Sequence, residues 1–299
     1  VLENVSKSFR SIDAVQGLSL TLREGTVCGL LGPNGSGKST TIRMIMNILL
    51  PDSGQVRLWG GTPADAVRTR VGYLPEERGL YPRMTVLDHL LFFAELHDIR
   101  RHDARQRVED WLQRFATNEE TSPVKWLGQR VQELSKGQQQ TIQFIGALLH
   151  DPALVIFDEP FSGLDPVHTS HVRSVIRTLT ERGAAILLST HRMEQAERLC
   201  DEIYLVNHGK CVLSGSLRAV KASAPSRLVE LRMETTPDFL APDDLVADAE
   251  IGSDGSRVRL REGADPQQLL ARAQNCGRVL KFEIVEPSLD DLFIEAVGG

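Results

Sequence analysis

The sequence predicts an α/β chain in which strands and helices alternate to build a parallel sheet, with a small α+β domain following it. Three observations carry that prediction. Short apolar runs at residues 25–31, 71–74, 154–157, 185–188 and 203–206 are separated by segments of helical periodicity, the order of a parallel core. A segment of about residues 83–150 repeats apolar side chains every three or four positions and reads as a helical insertion. A composition break at Lys221 to Ser226, where Ala, Ser and Pro interrupt the periodicity, divides residues 1–221 from residues 227–299.

In chain order, residues 1–22 read as two strands around a turn, and Gly25 to Leu31 as an apolar strand entering a glycine-rich loop. A helix is expected from Ser39 to about Leu49, because Ile42, Ile45, Met46 and Leu49 share one face. Pro51-Asp52-Ser53-Gly54 supplies a turn, and strands are expected at Gln55 to Trp59 and Val71 to Leu74. Leu87, Leu90, Leu91, Val108, Trp111, Leu112 and Phe115 mark the helices of the insertion. Further helices are expected after Pro166 and from Met193. Beyond the break, Arg227 to Met233 and Ser256 to Arg261 alternate as strands, Pro266 to Asn275 reads as a helix, and Val279 to Val285 as a strand.

Composition narrows the function classes. The chain has 299 residues, 41% hydrophobic and 25% charged, enough for one or two domains with buried cores. A formal net charge of -6 gives no global electrostatic case for nucleic acid as a partner, and none is expected. Cys28, Cys200, Cys211 and Cys276 show neither zinc-type pairs nor disulfide-scaffold density, so reduced thiols in a cytosolic protein are expected. No apolar stretch approaches the roughly 20 residues of a membrane-spanning helix. The opening reads as a strand rather than a charged-then-apolar leader, so no signal peptide is expected.

Chemistry concentrates in two motifs. Gly32-Pro33-Asn34-Gly35-Ser36-Gly37-Lys38-Ser39 fits the P-loop pattern GxxxxGK[ST] between an expected strand and an expected helix. Its glycines let successive N–H groups point at phosphate oxygens, and the helix start adds the positive end of its dipole. Lys38 reaches the terminal phosphates, Ser39 offers a hydroxyl to Mg²⁺, and Thr40 stands near for a further phosphate contact. A loop that merely turned a strand into a helix would not require Lys-Ser at that offset. The second motif is Leu154-Val155-Ile156-Phe157-Asp158-Glu159, an apolar strand ending in two carboxylates. Asp158 suits Mg²⁺, and Glu159 suits a general base that polarises the attacking water.

With these in place, other segments resemble those of the ATP-binding-cassette (ABC) ATPases. Leu134-Ser135-Lys136-Gly137-Gln138 resembles the LSGGQ signature, Ser162-Gly163-Leu164-Asp165 the D-loop, and Ser189-Thr190-His191 the switch histidine. The resemblance covers about residues 1–220 and rests on five motifs in family order. It implies a P-loop NTPase cassette, with a RecA-like core, an antiparallel β subdomain and a helical subdomain. It also implies ATP and Mg²⁺ as cofactors and a second cassette as partner, a copy of this chain or a paralogue. Ser135, Gly137 and Gln138 would then act on the other cassette's ATP, Asp165 would bridge the two, and His191 would sense the γ-phosphate. His191 also fits a hydrogen-bonded histidine at a strand end. Phe9 matches the aromatic residue on which adenine stacks, although a lone Phe in a strand pattern also reads as core.

Two positions depart from the family pattern. Glu76 follows Gly72-Tyr73-Leu74-Pro75 where the family carries Gln, placing a carboxylate beside Mg²⁺ and phosphate. Lys136 stands where Gly is commoner. The run Glu76-Glu77-Arg78-Gly79-Leu80-Tyr81-Pro82 and the ending Glu286-Pro287-Ser288-Leu289-Asp290-Asp291-Leu292-Phe293 resemble ATPase subunits of type-2 exporters related to sodium-efflux and drug-efflux systems. The C-terminal domain resembles the appendage those subunits carry. The resemblance therefore implies an ATP-hydrolysing subunit that works with a separate membrane permease, peripheral at the inner face of the cell membrane. A groove between the Glu76 loop and the helical subdomain would receive the permease. A non-transport cassette acting on ribosomes or DNA is the alternative, but this chain has neither a second cassette nor a long coiled coil. Arg100, Arg101, Arg105 and Arg107 read as a solvated helix face more readily than as an interaction patch.

Overall fold

Glycines and turn formers cut the first apolar runs into β1 (Leu2–Phe9), β2 (Ile12–Leu20) and β3 (Val27–Leu31). In this computed structural model, which describes residues 1–77, 79–115, 123–223, 228–234, 238–252 and 254–298, the chain divides into two units, Val1–Gly215 and Ser216–Gly299. α1 (Lys38–Ile45) follows the glycine-rich loop and stops four residues short of Leu49. Asn47 turns left-handed at φ 56°, and the N–H groups of Ile48 and Leu49 both return to the carbonyl of Arg43, which closes the helix. β4 is Ser53–Val56, shorter at its end than the expected Gln55 to Trp59, because Leu58 and Gly61 bridge across a turn with Trp59 at φ 49°.

α2 (Pro63–Arg70) has no counterpart in the periodicity, since Ala66 is its only buried residue. It starts on Thr62 and Pro63, a proline at the one helical turn where its missing N–H costs nothing. β5 (Val71–Leu74) leads to the helical insertion, α3 (Val86–Leu96), α4 (Arg101–Arg114) and α5 (Lys136–Leu148). Leu90, Ala94, Ala104, Val108, Leu112, Ile142 and Ile145 are its buried apolar positions. Arg105 pairs with Glu109 along α4, and Arg107 donates to the carbonyl of Leu149. Both side chains stay substantially exposed, as on a solvated helix face.

The alternation then continues through β6 (Leu154–Asp158), α6 (Pro166–Glu181), β7 (Ala185–Thr190), α7 (Met193–Leu199) and β8 (Glu202–Asn207). β9 (Lys210–Ser216) follows a two-residue turn, His208-Gly209, in which both residues have positive φ, 46° and 78°. Its exposed, mixed sequence gave no apolar run to read. The strands form two sheets in this unit. One has the order β2-β1-β4, and the other β5-β6-β7-β3-β8-β9 with parallel pairing across β5, β6, β7, β3 and β8. β3, β6 and β7 are buried throughout, as strands covered on both faces are. Their register sets Leu31 beside Thr190 and Asp158 beside Ser189, so the ends of three strands meet at one place.

The second unit begins before the expected break, with α8 (Leu217–Ser223) near its start; residues 224–226 of that break and Arg227, the expected start of the next strand, lie outside the described residues. β10 (Leu228–Met233), β11 (Val246–Gly252), β12 (Gly255–Leu260), α9 (Pro266–Cys276), β13 (Val279–Val285) and α10 (Leu289–Gly298) follow. Its antiparallel sheet has the order β11-β12-β10-β13, and Val229, Leu231, Val246, Val258, Leu260, Leu269 and Ala273 form its core. β11 escaped the sequence reading because Asp248 and Glu250 leave it little apolar signal. Among the described residues, no helix is long and apolar enough to cross a membrane.

β5 packs so closely on the insertion that Gly72 has no room for a side chain. A Cβ there would lie 2.4 Å from the carbonyl oxygen of Ala147 and 2.9 Å from Pro152. Gly72→Ala is therefore expected to cost about 1–3 kcal/mol, read as a lower denaturant midpoint with an unchanged slope.

Candidate active site

The loop between β3 and α1 is fixed by backbone contacts that only glycine permits. At Gly32 (φ 149°) a Cβ would lie 2.1 Å from the carbonyl oxygen of Val206, and at Gly37 (φ 108°) one would lie 2.3 Å from that of Ala14. Gly37 is also the N-cap of α1, which has no side-chain cap and no acidic residue in its first turn. Its first N–H groups and the positive end of its dipole are therefore available to an anion. The His208-Gly209 turn braces the loop, since Gly209 N–H donates to the carbonyl of Ser36 at 3.0 Å and Gln16 Nε2 to that of His208 at 2.9 Å.

A cavity of about 650 Å³ opens over this loop. Asn34, Gly35, Gly37, Lys38, Ser39, Thr40, Glu76, Asp158 and Glu159 line it, bringing both motifs and the Glu76 loop together. Ser11, Ile12, Asp13, Ala14, Gln16 and His208 complete the wall. Sequence reasoning missed these six. The only sequence signals for them are the turn after Phe9 and the His-Gly turn after β8, neither of which resembles a ligand motif.

Charge is concentrated and poorly solvated here. Lys38 Nζ donates to the carbonyl oxygens of Gly32 at 2.7 Å and Pro33 at 3.0 Å. Burial lowers its pKa, and the negative charges of Glu159, Asp158 and Glu76 oppose that shift. Burial raises the pKa of Asp158; the Ser189 hydroxyl opposes this, Glu76 and Glu159 add to it, and Lys38 opposes it. Glu159 is buried and sits in the left-handed region at φ 49°, a conformation a glutamate adopts only when its surroundings impose it. Thr190 Oγ1 donates to its Oε2 at 3.0 Å, and His191 N–H donates to its Oε1 at 2.8 Å. His191 Nδ1 lies 2.7 Å from the same Oε1, so with an ionised carboxylate Nδ1 carries the proton.

The other anticipated residues fall elsewhere. His191 is not among the cavity-lining side chains and reaches the site through Glu159. Phe9 is 43% exposed rather than core; it does not line the cavity, although it pairs across the sheet with Ile12, which does. Lys7 Nζ lies 5.8 Å from the centre of its ring. Ser135 caps α5 in a reciprocal box: its Oγ accepts from Gln138 N–H at 3.3 Å, and Gln138 Oε1 accepts from Ser135 N–H at 2.8 Å. Gly137 faces the ring of His168, which a Cβ would approach to 3.2 Å. Asp165 caps α6, accepting from the N–H groups of Val167 and His168 at 2.9 Å each and lying 2.7 Å from His168 Nδ1. Within this chain, then, neither the α5 start nor Asp165 belongs to the cavity. Lys136 is exposed, and Arg78 lies outside the described residues.

No group of three His, Cys, Asp or Glu side chains among the described residues is placed to hold a metal ion. The oxygen donors Ser39, Asp158 and Glu76 on one wall nevertheless suit Mg²⁺, which binds through one or two carboxylates together with phosphate and water.

The raised pKa of Asp158 has a stability consequence. A carboxyl whose folded pKa exceeds its unfolded one makes the fold less stable as pH rises through the ordinary carboxylate range. In nucleotide-free protein, Asp158→Asn is expected to raise the thermal midpoint at pH 7, with the gain vanishing as pH falls below about 4.

Residues 15–162 match the ABC transporter family, and residues 215–297 match the ATP-binding protein DrrA1-3-like, C-terminal domain. The uncharacterized ABC transporter ATP-binding protein YhaQ of Bacillus subtilis (strain 168) is 40% identical over 100% of this chain and 98% of its own length. The ABC transporter ATP-binding protein NatA of the same organism is 36% identical over 75% of this chain and 92% of its own length. A Nod factor export ATP-binding protein I from Rhizobium sp. (strain N33) is 33% identical over 99% of this chain and 96% of its own length. Among solved structures, an ATP-binding subunit of an ABC transporter superposes with a TM-score of 0.67 and 29% identity, covering 74% of this chain and 91% of its own. A dimeric cassette in a post-hydrolysis state with ADP and phosphate shares the fold, with a TM-score of 0.64 and 23% identity, covering 73% of this chain and 98% of its own. The chain belongs to the ABC transporter ATP-binding family, as an ATPase of the ABC-2 type.

Proposed function

We propose that this chain is the motor of an export transporter, hydrolysing ATP between two cassettes to drive a separate permease. The observation that carries the catalytic part is Glu159, held by Thr190 and His191 in a strained backbone conformation on the same cavity as Lys38 and Asp158. In this reading the phosphates lie over the α1 N-terminus and Lys38 exchanges its carbonyl partners for phosphate oxygens. Ser39, Asp158 and Glu76 would hold Mg²⁺, which would supply charge neutralisation for the transferred phosphoryl group. Glu159 accepts the proton of the attacking water on a carboxylate oxygen, and His191 keeps that carboxylate in place. Phe9, exposed beside Ile12, offers the adenine contact.

The second cassette is needed to complete the site. Ser135, Gly137 and Gln138 carry phosphate-binding chemistry at a helix start, and Asp165 caps another helix as a candidate bridge between cassettes; all four stand apart from their own chain's cavity, which supports action across a dimer. Coupling runs through the Glu76 loop. Gln143 of α5 donates to the carbonyls of Pro75 at 3.3 Å and Glu77 at 3.2 Å, tying the loop to the helical insertion. Beside it opens a mainly apolar groove of about 270 Å³ lined by Met46, Val67, Tyr73, Leu80 and Phe93, suited to an amphipathic helix of the permease. In this reading, docking there would hold the chain at the inner face of the membrane. The DrrA1-3-like C-terminal domain and the export systems named among the relatives support the direction of transport.

Glu159→Gln is expected to reduce phosphate release at least about 100-fold while ATP binding is retained. Turnover equal to the parent would remove the assignment. Glu76→Gln is expected to bind ATP without Mg²⁺ about three- to tenfold more tightly than the parent, because it removes a carboxylate that repels free phosphate. The check is nucleotide titration across an Mg²⁺ series, in which coincident curves would exclude a role for Glu76.

A further inference from the structure

The C-terminal unit exposes a sheet edge whose sequence is complementary to itself. β13 ends the order β11-β12-β10-β13, so one side of its backbone has no strand partner among the described residues. Its residues are Val279-Leu280-Lys281-Phe282-Glu283-Ile284-Val285. An antiparallel pairing of this strand with a second copy, centred on Phe282, sets Lys281 opposite the partner's Glu283 and Leu280 opposite the partner's Ile284. Phe282 then meets itself, and the two-fold axis repeats each pair, as an isologous interface requires.

Exposure agrees with that match. Leu280 is 47% exposed and Ile284 45%, although both are large apolar side chains in a strand. Phe282 and Val279 already pack against the core of the domain, so pairing would extend an existing apolar face across the axis. On the other face, Lys281 contacts Glu230 at 2.6 Å and Glu283 at 2.7 Å, and a partner strand would lengthen this ladder of alternating charge.

A lysine and a bulge are the usual devices that keep an edge strand single. Both occur here: the pairing with β10 shifts between Arg232 and Met233, which leaves Leu280 unpaired there. Residues 281–285 pair with β10 without interruption, so Lys281, Phe282 and Glu283 keep regular strand geometry in both copies while the Leu280–Ile284 pair falls at the bulge, and self-pairing supplies the lysine with an opposing carboxylate. The opposite edge behaves differently. β11 carries Asp248 and Glu250 around Ala249, so the equivalent self-pairing would oppose carboxylate with carboxylate.

We propose that the C-terminal unit associates with a second copy of this chain by antiparallel pairing of β13 across Phe282. This contact is separate from the nucleotide-dependent cassette dimer, and its test uses the full chain without nucleotide so that the two can fail independently. Sedimentation over a concentration series is expected to show reversible dimerisation of the parent. Lys281→Glu and Glu283→Lys alone each place like charges opposite one another at both symmetric pairs and should raise the dissociation constant at least about tenfold. The double variant Lys281→Glu/Glu283→Lys should recover the parent value. An equimolar mixture of the two single variants should form a mixed dimer, because each then supplies the charge the other lacks. Mixing cannot repair a folding defect inside either chain, so mixed-dimer formation isolates the intermolecular contact. A parent that stays monomeric throughout, single variants that dimerise like the parent, or a mixture that remains monomeric would each overturn the proposal.

Discussion

The close approach of backbone to backbone around the loop after β3 is the constraint on which the active site depends. Gly32 lies against the carbonyl of Val206 on β8, and Gly37 against that of Ala14 on β2. These contacts join a parallel sheet and an antiparallel sheet through a loop that has no side chains at the points of contact. They also bring the open start of α1 to the place where β6 and β7 end in Asp158 and Thr190. Any Cβ at either glycine would displace the loop from these strand ends, and with it Lys38. Sheet register completes the placement, because Asp158 beside Ser189 sets Glu159 within reach of Thr190 and His191.

The electrostatics follow from this crowding. A cation and three carboxylates share one partly dehydrated wall, and burial disfavours the charged forms of both Lys38 and Asp158. Such an arrangement is costly to the empty protein. It would become favourable if anionic phosphate and a divalent cation entered together, since each would offset charge of the opposite sign that the fold has already desolvated. Glu76 adds to the imbalance by placing one more carboxylate there than the family pattern provides.

Much of this was legible in the sequence, and the reasons differ by element. β3, β5, β6, β7 and β8 are buried apolar runs, so their residues announced both the strands and their parallel arrangement. The two phosphate-site motifs were legible because their chemistry demands fixed residue types at fixed offsets. α2, β9 and β11 were not, since a helix with one buried alanine and strands with exposed polar faces leave no periodic signal. Ser11, Asp13, Gln16 and His208 were also invisible. They enter the cavity through turns brought close by tertiary structure, and nothing in their spacing encodes that. For His191 the sequence supported both a phosphate contact and a hydrogen-bonded strand end. In this structure the second describes its position, with Glu159 as the partner.

The signature segment shows the same tension between stability and function. An isolated helix start satisfies its own donors, and α5 does so through the reciprocal box of Ser135 and Gln138. Of its two bonds, the Ser135 hydroxyl contact is the longer at 3.3 Å and the Gln138 carbonyl contact the shorter at 2.8 Å. In the proposed dimer, phosphate oxygens from the other cassette compete with this box. Replacing a neutral cap by an anion at a helix start exchanges a contact worth about 1 kcal/mol for stronger charge-assisted bonds. In the proposed dimer the box would keep α5 intact while the cassettes are apart and yield when they close. That balance would let ATP bind the pair more favourably than the single chain, the differential affinity any nucleotide-driven closure must have.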